Sequence, residues 1–342
     1  MMRACTSHGA GDLRVEEIDQ QEPGPGQISV EIVYGGICGS DLHYYHRGGV
    51  GDFRIRQPLV LGHEVVGRVL AFGPGSVGPP VGTPIAVHPA TPCDNCPECL
   101  AGHRNVCPNS RYLGSAAHFP HVQGGFSDVL TVPADQVYKL PEGLDLRRAA
   151  LAEPLSVALH AVRRAGQVAG RRVLVTGTGP IGALIVAVLS HKGAAEIVVT
   201  DLVDEALAVA AAVGATTTLR ADQPQDAGWP DDIDIAIEAS GTAPGLATCL
   251  RLIRRRGTVV QLGLLPPGDT PFAGNAVVTR EIELKGSFRF DTEFSESLTL
   301  LAEGLAVDPI LTHTYPLAAA LDAFGTAGDR RAACKVLLDF TR

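Results

Sequence analysis

The chain is poor in aromatics, at 5% of residues, and has no basic tract and no long apolar run. Its most apolar stretch, PIGALIVAVLS, falls short of the ~20 residues that a bilayer span needs and suits a buried helix. With a net charge of −9, the missing basic tract argues against a nucleic-acid partner or an anionic membrane surface. The opening residues, MMRACTSHGAGDLRVEEIDQ, carry acids and no apolar run. No secretory signal is expected, and the cytoplasm is the expected compartment. There is no internal repeat and no long disordered linker.

What is present is a chain of 342 residues, 45% apolar, enough for two domains and a large buried core. Up to about residue 150 the texture is Gly- and Pro-rich with short β-type runs. QISVEIVYGGICG, VVGRVLAFG and TPIAVHP each end at turn residues, and PGPGQ and GPGSVGPPVG read as loops. From about Leu155, short apolar strands alternate with helical periodicity, through RRVLVTGTGPIGALIVAVLS, EIVVTD, IDIAIEASG and RRGTVVQLG. That alternation predicts a parallel, doubly wound sheet, so the fold class is α/β with a β-rich first domain. The pattern ends near EIELKGSFRF. Two helices are predicted in the tail, around Thr292–Glu303 and Leu317–Phe324, followed by a last strand, CKVLLDF. Periodicity leaves open whether the tail caps the parallel sheet or returns to the first domain.

VLVTGTGPIG is a strand running into Gly177, Gly179, Pro180, Ile181 and Gly182, then a helix. In that context the glycines permit a tight turn, close approach of a pyrophosphate and close helix–strand packing, and the helix N-terminus offers free N–H groups. Asp201 ends the next strand, nineteen residues after Gly182, where a carboxylate hydrogen-bonds the adenine ribose. It would repel a 2′-phosphate, and DLVDE supplies no Arg to compensate, so NAD is favoured over NADP.

Of eight cysteines, Cys93, Cys96 and Cys99 recur every third residue and Cys107 follows eight later. In a reducing compartment such a cluster reads as metal ligands. Zn²⁺ accepts four thiolates at roughly 2.3 Å, and an iron–sulfur cluster is the lesser reading because nothing else suggests electron relay. Four sulfurs fill a tetrahedral ion, so this site is a staple for its loop and chemistry needs a second, open site. Cys38, His63, Glu64 and Glu153 are the candidates: one thiolate, one imidazole, one carboxylate and a water make an open catalytic zinc.

In this order, GICGSDLH, GHEVVGRV, the cysteine cluster, EPLSVALHA and GTGPIG resemble the zinc-dependent medium-chain dehydrogenases/reductases over essentially the whole chain. GICGSDLHYYHRGGVGDF resembles their polyol (sorbitol-dehydrogenase-like) branch. GSAAHFPHVQGGF and ELKGSFRFDTEF are similar to its sugar-acid (L-idonate) group. The resemblance implies a GroES-like catalytic unit from residues 1–154 and 290–342, with a structural-zinc lobe at about 90–110. It implies a Rossmann NAD-binding domain at 155–289, an active site in the cleft between them, and a homodimer or homotetramer. It matches Cys38 and His63 to zinc ligands and leaves the third between Glu64 and Glu153.

The implied reaction is the reversible oxidation of L-idonate at C5 to 5-keto-D-gluconate. A neutral polyol such as sorbitol or xylitol is the alternative substrate, and a non-catalytic NAD- and zinc-binding protein the alternative of another class. The resemblance also implies a proton relay from Ser40 through the nicotinamide ribose to His43. Asp41 is expected to orient His63 as its hydrogen-bond acceptor. A sugar acid needs a cation, for which Arg289 is the first choice. Tyr44, His46, His118 and His121 are candidates for the remaining hydroxyls.

Overall fold

Residues 1–223 and 228–342 are described by a computed structural model. In the first half the longest strand, Gln27–Gly36, buries Ile28, Val30 and Ile32 while Glu31 faces out. The apolar side chains follow a strand's period of two, and the intervening Ser29, also buried, is hydrogen-bonded to Thr131 at 2.9 Å. It sits inside a seven-stranded sheet, flanked by Glu64–Phe72 on one side and Lys335–Asp339 on the other, both antiparallel to it. The tail therefore returns to the first sheet. Register then decides the chemistry. Gly36 pairs with Glu64 and also with Leu337, so one strand end gathers Ile37, Cys38, His63, Glu64 and Lys335 from three distant parts of the chain.

The second half holds a six-stranded parallel sheet among the described residues, in the order Thr217–Arg220, Glu196–Asp201, Arg172–Thr176, Ile233–Glu238, Ile253–Gln261, Glu283–Gly286. The order reverses beside Arg172–Thr176, the topological switch point where such sheets bind ligands. Val173, Leu174 and Val175 are all buried, without alternation, because helices cover both faces. A short helix, α1 (Gly39–Arg47), follows the strand end at Gly36, and PIGALIVAVLS forms the buried helix α2 (Pro180–His191). No helix among the described residues is long and apolar enough to cross a membrane.

Glu153 opens a helix, Ala152–Ala165, that runs through the expected domain junction. The first tail helix, Glu293–Ala302, shares an apolar cluster with it: Phe294, Leu298 and Leu301 join Leu155 and Leu159. The second is a 3₁₀ turn, Leu317–Ala319, running into Ala320–Gly328.

His88 lies among Tyr138, Phe290 and Phe294, with ring centroids 5.0–6.0 Å apart. Burial pushes its imidazole down to about 4, against the hydrogen bonding with Ala90. A folded value below the unfolded ~6.5 means that the unfolded chain takes up the proton first. Stability should therefore fall as pH drops from about 6.5 toward 4, by roughly 2 kcal/mol at pH 5. In urea unfolding at pH 7.5 and 5, His88→Asn should lose that much less stability than the parent. The same loss in both proteins would place the acid sensitivity elsewhere.

Candidate active site and metal centres

Cys38 caps the N-terminus of α1, whose third residue is Asp41. One Asp41 carboxylate oxygen accepts the Cys38 N–H at 2.9 Å and the other accepts the Gly62 N–H at 3.1 Å. The His63 ring lies 3.9 Å away, beyond hydrogen-bond reach. Asp41 thus does not bond His63 as the sequence suggests. It ties together the backbones of the two loops that carry Cys38 and His63, and is itself fully buried.

The Cys38 sulfur, a His63 ring nitrogen and a Glu64 carboxylate oxygen all lie within 4.8 Å of one another. Burial alone would lower the His63 imidazole, but Asp41, Cys38 and Glu153 outweigh it and draw it up to about 10. A buried site that favours positive charge so strongly, with thiolate, imidazole and carboxylate donors, fits a zinc ion. The two glutamates are held differently. Both Glu64 oxygens are 2.8 Å from Lys335 Nζ, which also donates to the Ile37 carbonyl at 3.0 Å. Glu153 accepts the Tyr112 hydroxyl at 2.6 Å.

A cavity of about 340 Å³ opens over these groups, with Cys38, Ser40, His63 and Glu153 on one wall and Ile181 and Leu262–Leu264 of the parallel-sheet half on the other. Arg289 lines it as well. Its backbone is in the left-handed region, φ 52°, uncommon for a residue with a side chain. Its guanidinium lies 4.1 Å from the Tyr112 ring centre and 4.9 Å from that of Phe288. Burial lowers its pKa, yet an Arg stays charged. It makes cation–π contacts but no hydrogen bond or ion pair with any described residue, so its N–H fork is available to a ligand in the cavity. The segment is steadied from behind: Asn105 Nδ2 donates to the Phe288 carbonyl at 2.9 Å.

The polar candidates divide. Tyr44 lines the cavity, its hydroxyl accepting the Ala116 N–H at 2.9 Å. The histidines do not join it. His46 is exposed beside Tyr45. His118 donates to the Ser110 carbonyl. His121 is buried between the Arg56 N–H and the His118 carbonyl and lines a separate cavity of about 640 Å³. None of the three lines the catalytic cavity, so they are not placed to contact a substrate there. His43 sits one turn beyond Ser40, exposed. Although its surface is open to solvent, partial desolvation of the ring, then Arg47 and His46, draw its imidazole below the ordinary range.

Cys93, Cys96, Cys99 and Cys107 bring four sulfurs within 4.8 Å of one another. Cys96–Cys107 and Cys107–Cys93 are 3.8 and 3.5 Å apart. Four sulfurs each about 2.3 Å from a central ion would be separated by about 3.8 Å, so the cage has zinc's dimensions.

At the glycine loop, a Cβ on Gly182 would come 2.0 Å from the Gly177 carbonyl oxygen, so helix α2 can approach the strand only without one. Gly177 has φ 82°. Gly179 caps α2 and faces open space, Pro180 is the first helical residue, and Ile181 reaches the catalytic cavity. These features fit a bound dinucleotide's pyrophosphate. Asp201 is buried beside the loop. Its Oδ2 accepts the Thr178 N–H at 2.7 Å and its Oδ1 accepts the Leu202 N–H at 2.7 Å. Burial raises its pKa, but the Thr178 N–H and Arg330 prevail and hold it below the usual range.

Sequence reasoning missed Tyr112, Lys335 and Arg330. Lys335 carried a faint signal, a lone cation in an apolar strand. Tyr112 and Arg330 carried none.

Residues 24–142 match the family model for the alcohol dehydrogenase GroES-like domain, and residues 180–303 that for zinc-binding dehydrogenase. The chain is 39% identical to the L-idonate 5-dehydrogenase (NAD(P)(+)) of Escherichia coli K12, over 99% of this chain and 98% of that one. It is 36% identical to the sorbitol dehydrogenase of Gallus gallus, over 94% and 92%. The crystal structure of the Escherichia coli L-idonate 5-dehydrogenase superposes with a TM-score of 0.92 at 38% identity, covering 99% of this chain and 98% of that one.

Proposed function

The chain belongs to the zinc-binding, GroES-like alcohol dehydrogenase family, and on that premise we propose that it oxidises L-idonate at C5 to 5-keto-D-gluconate, reversibly, with NAD as hydride acceptor. The Arg289 guanidinium carries this reading. A largely buried cation, free of carboxylate partners among the described residues, faces the cavity that holds the Cys38–His63 donors. A polyol hydroxyl can accept from its N–H groups too, but an aldonate carboxylate matches both its charge and its fork.

Cys38, His63 and Glu64 would hold the catalytic zinc, with Glu153 beside it on the cavity wall. Zinc, when bound, supplies Lewis-acid polarisation of the substrate hydroxyl. Asp41 keeps the two ligand loops in register. Arg289 orients the sugar by its carboxylate. Ser40 receives the hydroxyl proton and passes it toward His43 at the solvent face of α1. Ile181 and Leu262–Leu264 exclude water where hydride passes. Gly177–Gly182 and Asp201 would hold the NAD, which is preferred over NADP because the Asp201 charge, offset only in part by Arg330, disfavours a 2′-phosphate. Cys93, Cys96, Cys99 and Cys107 would hold a second, structural zinc. Residues 1–154 with 290–342 form the catalytic unit and 155–289 the cofactor domain of a cytoplasmic homodimer or homotetramer.

The sorbitol dehydrogenase likeness favours one second reading, a neutral polyol as substrate. The test is a kinetic panel of idonate, gluconate, sorbitol and xylitol with NAD and with NADP, on the parent and on Arg289→Ala. The expected result is the highest kcat/KM for idonate. In the variant, KM for idonate should rise at least about thirtyfold and that for sorbitol less than about threefold. Equal rises would remove Arg289 from carboxylate recognition, and a sorbitol preference in the parent would replace idonate by a polyol.

A further inference from the structure

We infer that Arg330 is the residue through which this cofactor site accepts a 2′-phosphate on the adenosine ribose, so that any use of NADP depends on it. The inference rests on the dinucleotide reading proposed above. It starts from a conflict of charge. Asp201 is buried, ionised and placed next to the glycine loop, and Glu205 lines the adjoining cavity of about 370 Å³. A phosphate dianion at the ribose 2′ position would meet two like charges. The residues that follow Asp201 supply no cation, and Arg220 on the neighbouring strand is already held by Asp204 at 3.1 Å and by Asp222 at 2.6 Å.

The missing cation arrives from 129 residues further along. Arg330, in the turn before the last strand, places Nη2 2.5 Å from Asp201 Oδ2. This is its single hydrogen bond to the described residues, and its side chain is 50% exposed. It lines the cavity together with Thr178, Gly179 and Pro180. A guanidinium has five N–H donors in a planar fork. With Nη2 on Asp201, the pair is close to neutral, and because Arg330 lines the cavity its remaining donors can bind a second oxyanion there. Arg331 lines the same cavity but makes no contact with Asp201, which gives a control of equal charge.

Adenosine 5′-monophosphate and adenosine 2′,5′-bisphosphate differ only in the 2′-phosphate. Their dissociation constants can be measured calorimetrically on the zinc-loaded protein without any turnover. Arg330→Ala should weaken the bisphosphate relative to the monophosphate by about tenfold or more, with monophosphate binding changed less than about threefold. Arg330→Lys should lie between, and Arg331→Ala should move the ratio less than about threefold. An unchanged ratio in Arg330→Ala overturns the inference. So does an equal change in Arg331→Ala, which would reveal a general field, or a parent that binds the monophosphate and not the bisphosphate. If the parent binds neither, the dinucleotide reading itself fails and takes the inference with it.

Discussion

Cys38→Ser is expected to lower kcat by about three orders of magnitude, or ~4 kcal/mol of barrier, while the protein keeps its fold. Cys38 supplies the sulfur of a three-donor cluster and also the cap of α1. A serine preserves the cap, because its oxygen can accept the same backbone N–H. It does not preserve a thiolate for zinc. The four-cysteine cage is a separate cluster and should be untouched. Bound zinc should therefore fall from about two ions per chain to about one, with an unaltered circular dichroism spectrum. Two retained ions with activity within tenfold of the parent would show that the open zinc site lies elsewhere. Extending the metal assay to Glu64→Gln and Glu153→Gln tests the third ligand. Glu64→Gln should release the same ion and Glu153→Gln should keep it, and the reverse outcome would exchange the two assignments.

The second large effect concerns stability. Lys335→Met should destabilise the fold by about 3–5 kcal/mol, because it strands the fully buried Glu64 carboxylate without its ion-pair partner. Lys335 and Glu64 are both fully buried and joined at 2.8 Å. Burial pushes the Glu64 carboxyl up while Lys335 pulls it down, and the carboxylate in turn raises the pKa of Lys335. Neither group has another counter-charge as close, so removing one leaves the other exposed to the full cost of burial. The double variant Glu64→Gln/Lys335→Met should recover most of the loss. Saturating zinc should narrow the loss in the single variant, since a bound ion gives Glu64 a second positive neighbour. Urea unfolding with and without zinc measures all three. A double variant as unstable as the single would trace the loss to packing.

The parts of this molecule that could be read from its sequence are those in which function imposes a local spacing. The glycine loop, the cysteine cage and the alternation of the parallel sheet are such parts, because each is made by neighbours along the chain. Cys38 and His63 were legible through short motifs, although only the pairing of Gly36 with Glu64 and Leu337 explains why they meet. Contacts between distant segments left no such trace. Lys335 reaches Glu64 across 271 positions and Arg330 reaches Asp201 across 129. The polar candidates near the motifs failed for a geometric reason. On α1, Ser40 and Tyr44 are four apart and share the cavity-facing side. His46, six from Ser40, is turned about 120° away. His118 and His121 look like ligands in a list of residues. In space His118 Nε2 and both His121 ring nitrogens are already bonded to backbone.

The strand order of the first sheet also has a consequence for biosynthesis. The parallel sheet is contiguous in sequence from Arg172 to Gly286, so it can form while later residues are still being made. The catalytic pocket cannot, because its floor is completed by a strand translated long after His63 and Glu64. Until Lys335 emerges, the Glu64 carboxylate lacks its nearest counter-charge and the sheet edge at Gly36 stays open, so the catalytic pocket reaches its final form only after the last strand has been translated.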